Sequence, residues 1–449
     1  MPAGSSHDSL DDLGYDWSRI ADPHIAAQPP FKVYLPRSTA DVARAVQEMH
    51  ALGQDFRIRG GGHSANDLVL AAGGNVLHLR AMDRIHDLDP HGETVTVGAG
   101  ATLVEVDRQL ARHGFGLPVI GDNPNITAGG FASVGGVGPA SHRYGLFVDN
   151  VAAVEYVAPD GSVARCGRDR DPAMFRKLLT GCGRHGVITQ LTLDLLAVDK
   201  REVWLVNEPK RFRDVEAFVA GGVDVMNNPE SARMQRGFWC DVRAGVTFGQ
   251  WSNYRVAEPT APRRLQRNLS IGARSLWGAS TAHIPRAARR VARMASAAAI
   301  VFPPHTQTMA DAETMADLVM NYRALDNPTR WYAAWPALDN YATAFERIYQ
   351  LFREYRSRTG CFTVIAVLTQ AIRSPYLGPD PIGAVMMICT VDPAAFTTAV
   401  QRDLVADLDR ICIEERAMRY MHSATSHDPD LLALLDPNRI LNAEELARP

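Results

Sequence analysis

Apolar positions between residues 31 and 200 switch repeatedly between an alternating and a helical period, with few residues to spare between segments. Phe31-Lys32-Val33-Tyr34 reads as a strand. Ser38-Thr39-Ala40-Asp41 supplies a cap and an early acid for a helix carried by Val42, Val46, Met49 and Leu52 and ended by Gly53. Phe56 to Arg59 is a second strand, so the chain opens β-α-β into a glycine-rich loop. Residues 75–79 and 94–98 read as further strands, and residues 102–113 as a helix through Leu103, Val106 and Leu110, stopped by Gly114. Residues 151–157 and 162–166 flank Pro159-Asp160-Gly161, whose turn chemistry predicts a β-hairpin. Asp171-Pro172 opens a helix to residue 179, and residues 187–193 alternate as a strand.

Beyond about residue 200 the glycine-dense loops stop, and alternating segments such as 233–242 and 382–390 mix with helical stretches. A second α+β domain on the substrate side fits that change. Residues 261–300 hold eight arginines and no acid, interleaved with Leu265, Ile271, Leu276, Trp277 and Val291. Without a sustained apolar stripe this reads as helices with a solvated basic face rather than a membrane contact.

Composition narrows the function classes. At 449 residues the chain exceeds one ordinary core. Its 46% hydrophobic and 22% charged residues are those of a globular protein. A net charge of -3 gives no electrostatic case for nucleic acid. The six cysteines are scattered, with no CxxC pair, which predicts neither a zinc site nor a disulfide framework and favours a reducing, cytoplasmic setting. The polar N-terminus predicts no secretory signal, and no segment is long and apolar enough for a membrane span.

Three glycine clusters carry the chemistry. In Arg59-Gly60-Gly61-Gly62-His63-Ser64, three residues without Cβ follow a strand, so successive N–H groups can face one concavity, as a bound pyrophosphate needs. The second cluster, residues 121–138, contains Asp122, Thr127, Gly130, Ser133 and Val137, and has little side-chain bulk to keep it from lying against a planar ligand. The third, Gly181-Cys182-Gly183-Arg184-His185-Gly186, is a literal G-x-G-x-x-G in the wrong place. A Rossmann loop follows a strand and opens a helix, whereas here a helix precedes and a strand follows. Nicotinamide binding is therefore rejected, and the segment is read as a tight helix-to-strand crossing.

In order, these clusters, Arg143-Tyr144-Gly145, residues 150–161, Gly181 to Thr189 and Asp436-Pro437-Asn438-Arg439-Ile440-Leu441 resemble the FAD-linked oxidoreductases of the vanillyl-alcohol-oxidase type, cytokinin dehydrogenases and berberine-bridge-type oxidases foremost. The resemblance covers roughly the first 195 residues and the last few tens. It implies an α+β fold: an FAD-binding domain of two small α+β subdomains (1–200), a substrate-binding cap with an antiparallel sheet and flanking helices (201–415), and a C-terminal segment returning to the FAD domain (416–449). It implies FAD held by Arg59, Gly60, Gly61, Gly62, His63, Ser64, Asp122, Thr127, Gly130, Ser133, Val137 and Val187, with His63 bonded to the flavin 8α-carbon. Asn123 stands where a second linkage would need cysteine, so one linkage is expected. His185 replaces a usual phenylalanine, and Glu445 stands near an expected glutamine.

A flavin takes hydride at N5, and a base must accept the N–H or O–H proton that hydride loss acidifies. Asp122 matches the family's acid; partly desolvated, it would work as that base. His142 and His113 are weaker candidates. The resemblance implies oxidation of a C–N or C–O bond of a small organic substrate, with O2 or another acceptor reoxidising the flavin. A berberine-bridge-type oxidative cyclase and a flavin-binding protein without turnover remain as alternatives, and oligomeric state is not predicted.

Overall fold

The computed structural model describes residues 13, 30–64, 69, 73–121, 123, 126–228, 232–243, 245–281, 306–314 and 329–420. Asp122 and the stretches 421–449 and 282–305 lie outside the described residues. The strands form three sheets, which bears out the α+β reading.

The first sheet joins β1 (Lys32–Tyr34), β2 (Phe56–Arg59) and β3 (Asn75–His78), with β3 in the centre and parallel to both neighbours. The helix Thr39–Ala51 connects β1 to β2. Ser38 caps it by accepting the Asp41 N–H, and its buried Val42, Ala45, Val46 and Met49 face inward. Thr39 donates to Glu155 of the next sheet at 2.7 Å, tying the two small sheets together.

The second sheet runs β4 (Ile85–Asp89), β5 (Thr94–Gly98), β8 (Val187–Asp194), β6 (Val151–Val157) and β7 (Val163–Gly167), all antiparallel. β6 and β7 form the predicted hairpin, Gly161 taking the φ of +83° its turn requires. The strand β4 and the helix Ala128–Val134, inside the second glycine cluster, were not anticipated.

The third sheet has eight antiparallel strands in the order β12 (Thr306–Thr308), β9 (Trp204–Phe212), β11 (Val246–Val256), β10 (Met234–Val242), β14 (Phe362–Ile372), β15 (Ile382–Val391), β13 (Thr329–Trp335) and β16 (Met418–Arg419). Alternation gives it two unlike faces. One packs against the helices Val215–Asn227, Tyr341–Thr359 and Thr398–Glu414, through rings such as Phe218 on Trp239 at 5.4 Å and Tyr332 on Phe352 at 5.2 Å. Charges on this face are internally matched: Arg356 with Asp241 at 2.8 Å, Arg419 with Asp409 at 2.8 Å.

The opposite face looks toward the N-terminal sheets. Met234, Leu205 and Tyr254 cluster there with Ala140, and Gln370 donates to the Gly138 carbonyl at 2.7 Å. Lys200 lies between the second and third sheets, fully buried, 3.1 Å from Asp107 and 2.8 Å from Glu313. Burial alone would lower its ammonium pKa; the two carboxylates more than reverse that and leave it above the ordinary lysine value.

The helix Ala261–Thr281 places Arg264 and Arg267 over Trp204, and Arg267 on Asp311 at 3.0 Å. Its arginines thus turn partly inward, while Leu265 and Leu269, one turn apart, are exposed. No described helix is long and apolar enough to cross a membrane.

Candidate functional site

The three glycine clusters meet in space. A Cβ on Gly60 would collide with the Thr127 hydroxyl, and one on Gly62 with the Arg59 guanidinium, so the triple glycine lies directly between these two side chains. Gly62 has φ +68°, and the N–H groups of Gly61 and Gly62 carry no hydrogen bond to another described residue. Arg59 is buried beneath the loop, and His63 and Ser64 are half-buried at its end.

Thr127 caps the helix Ala128–Val134 in position but not by its side chain. Its Oγ1 is buried and has no partner among the described residues, a costly arrangement unless a ligand supplies one. Gly130 sits above it: an added Cβ would come within 3.0 Å of that oxygen. Ser133 differs, because its hydroxyl donates to the Gly129 carbonyl at 2.7 Å. Its carbonyl accepts the Cys182 N–H at 2.9 Å, which docks the third cluster on the same helix. Gly183 completes the meeting against Ile58 of β2. Val187, buried, begins β8 opposite Val157, and Val137 is half-buried.

The turn Gly98-Ala99-Gly100-Ala101 was missed in the sequence. Its Ala99 and Ala101 carbonyls accept the Gly129 and Ala128 N–H groups, both at 2.9 Å, and fix the start of the second cluster's helix. Its two glycines press on the Met82 and Leu79 carbonyls, where no side chain fits. The signal was present as a Gly-Ala-Gly-Ala run.

Residues 135–149 carry the site to the eight-stranded sheet. Gln235 N–H donates to the Pro139 carbonyl at 3.0 Å, Arg373 N–H to Ser141 at 3.1 Å, and Arg233 to the Tyr144 hydroxyl at 2.8 Å. Tyr376 N–H donates to Asp149 at 2.8 Å and its hydroxyl lies 3.0 Å from that of Thr180. Burial pushes the Asp149 carboxyl up. Tyr420 stacks on Trp335 at 4.4 Å, and the Gly136 and Val137 amides hydrogen-bond its hydroxyl. Burial nonetheless raises that phenol far above its ordinary value.

Among the weaker candidates, His142 is buried and donates from Nε2 to the Ala232 carbonyl at 3.1 Å, and His113 is exposed. His142 therefore serves the seam between sheets. Glu445 and residues 436–441 lie outside the described residues.

The residues present fit a flavin dinucleotide: a glycine cradle closed by neighbouring side chains, an orphaned buried hydroxyl at its floor, and a histidine at its rim. Residues 30–167 match the family described as FAD binding domain. The chain is similar over 173 residues, at 34% identity, to an uncharacterised oxidoreductase of the fasciation locus of Rhodococcoides fascians, covering 38% of this chain and 39% of that protein. It is 30% identical over 191 residues to (R)-6-hydroxynicotine oxidase of Paenarthrobacter nicotinovorans, covering 42% and 41%. It is also 30% identical over 187 residues to cytokinin dehydrogenase 7 of Oryza sativa subsp. japonica, covering 40% and 36%. The matched stretch thus spans about two fifths of these relatives' length. The residues that match an FAD binding domain, 30–167, are thus those that bring the first two glycine clusters together in space.

Proposed function

We propose that this protein is an FAD-dependent oxidase or dehydrogenase that removes hydride from a C–N or C–O bond of a small organic molecule. The observation that carries the reading is the buried, unpartnered Thr127 hydroxyl set against Gly60, at the meeting point of three glycine clusters. Relatives named (R)-6-hydroxynicotine oxidase and cytokinin dehydrogenase favour a C–N bond.

Bound FAD would supply the hydride acceptor at N5. The chain's own residues do the rest. Arg59, the Gly61 and Gly62 amides and the Thr127 hydroxyl would hold its pyrophosphate. His63, at the rim, is the attachment point through one ring nitrogen. Asp122 accepts the substrate's N–H or O–H proton, and the eight-stranded sheet excludes water from above. O2 or another acceptor would take the electrons from the bound flavin.

The test is a visible spectrum before and after acid precipitation. Yellow colour stays with the wild-type precipitate and passes to the supernatant in His63→Ala. Colour entirely in the wild-type supernatant would remove the covalent bond but keep FAD; a colourless protein that takes up no added FAD would remove the function.

A further inference from the structure

A cavity of about 290 Å³ lies at the end of the eight-stranded sheet, and none of its lining residues belongs to a glycine cluster. The connection from β14 to β15 forms one wall; the end of the helix Thr398–Glu414 and the turn into β16 form the other. Leu377, Ile382, Cys412 and Met418, all buried, give it apolar surface. Small-molecule sites begin at roughly this size, about 300 Å³.

Three polar side chains interrupt those walls, and none has a hydrogen-bond or ion-pair partner among the described residues. Trp335 is part of the lining and 1% exposed, yet its Nε1–H meets no acceptor. A buried donor left in that state costs free energy unless something brought into the cavity accepts from it. Asp380 and Arg416 are exposed, which puts them where the cavity opens, and they are not paired with each other. The acids next to Arg416, Glu414 and Glu415, both turn to Arg347 instead.

Arg416 also stands where a glycine is expected. The helix ends in a Schellman turn, with the Ala417 N–H on the Cys412 carbonyl at 2.7 Å and the Arg416 N–H on the Ile413 carbonyl at 3.2 Å. Arg416 takes φ +52° there, a left-handed conformation that glycine adopts freely and a side chain resists. The turn alone does not call for the guanidinium.

The charges specify the ligand. Asp380 and the carbonyl end of the helix favour a cation, and Arg416 favours an anion. A plain carboxylate would meet Asp380 and a plain amine would meet Arg416, whereas a molecule carrying both charges satisfies both. We infer that this cavity is a second ligand site, apart from the flavin cradle, that binds a free α-amino acid with an apolar side chain. Its carboxylate meets Arg416, its ammonium meets Asp380, and its side chain lies among Leu377, Ile382 and Met418, with the Trp335 N–H as a further donor. Trp335 stacks on Tyr420 at 4.4 Å, and the Gly136 and Val137 amides bond the Tyr420 hydroxyl, so the cavity wall reaches the second glycine cluster through one stacked ring.

The experiment uses the purified full chain with its flavin. L-Leucine, L-methionine, L-phenylalanine and L-tryptophan are titrated by calorimetry, each beside its amide, which lacks the carboxylate, and its deaminated acid, which lacks the ammonium. At least one amino acid binds, and both of its derivatives bind about tenfold or more weaker, the margin of a charge-assisted hydrogen bond. Arg416→Gly puts glycine in its usual place, so it melts no lower than wild type while losing amino-acid affinity about tenfold or more. Asp380→Asn, on an exposed loop, loses a similar factor and decides alone should Arg416→Gly fail to fold. No binding of any of the four at millimolar concentration overturns the inference, as does equal binding of amino acid, amide and acid, or undiminished binding in the folded variants. Anaerobic bleaching of the flavin by the bound amino acid would make it a substrate and overturn the second site as well.

Discussion

Replacing Asp122 with asparagine keeps the side chain's size and most of its hydrogen bonding while removing the base. If Asp122 takes the substrate's proton, Asp122→Asn folds, keeps its flavin and binds substrate, yet its flavin is reduced about 10²- to 10⁴-fold more slowly. Stopped-flow reduction under anaerobic conditions measures this, and a near-wild-type rate would move the base to another residue. At this scale much of the candidate site was legible. Gly60, Gly62, Thr127 and Gly130 meet in space as their small size suggested, because a residue without Cβ advertises a close approach in the sequence itself. Ser133 was legible by type but not by role: its proton goes to the Gly129 carbonyl one turn back.

Elements whose apolar rhythm is strong were readable to within a residue or two. The helix Thr39–Ala51 shows its cap and its stripe, and β10 its alternation. The helix Ala128–Val134 was not readable, because its two glycines are poor helix formers and their reason is packing: Gly129 lies against Ala99. Nor did the sequence announce what joins the helix Leu103–Leu110 to the helix Met309–Glu313, two elements about two hundred residues apart. Lys200 does so, with Asp107 on one side and Glu313 on the other. Lys200→Met leaves both carboxylates in place of a three-charge cluster, and breaking such a buried group by removing one partner costs about 3–5 kcal/mol. Denaturant unfolding followed by tryptophan fluorescence shows that loss, and Lys200→Met with Glu313→Gln recovers part of it. An unchanged midpoint in Lys200→Met would mean that water reaches the cluster and the joint is held by packing alone.

For the molecule as a whole, the strand order β12-β9-β11-β10-β14-β15-β13-β16 has no local signature, since it pairs segments as far apart as Gly237 and Thr369. What it produces is a seam: residues 135–149 are held against one end of the sheet, and His142 is one of the holders. Its neutral ring donates to Ala232. Burial is the largest influence on it and lowers its pKa from 6.5; the Ala232 and Pro139 carbonyls pull upward, while the cations Arg143 and Arg373 add to the lowering. A depressed folded-state pKa means that His142 contributes its stability fully above the unfolded value, near 6.5, and loses it as pH falls toward the folded value. The melting temperature of the wild type therefore declines between pH 7.5 and 5.5. With 14 histidines in the chain, that slope alone does not identify its source. The variant does: His142→Gln keeps a donor for Ala232 but cannot take up a proton, so it melts lower than wild type at pH 7.5 and the gap narrows as pH falls. A gap that stays constant or widens toward pH 5.5 would show that His142 does not titrate in this window, and that the seam owes its acid sensitivity to another group.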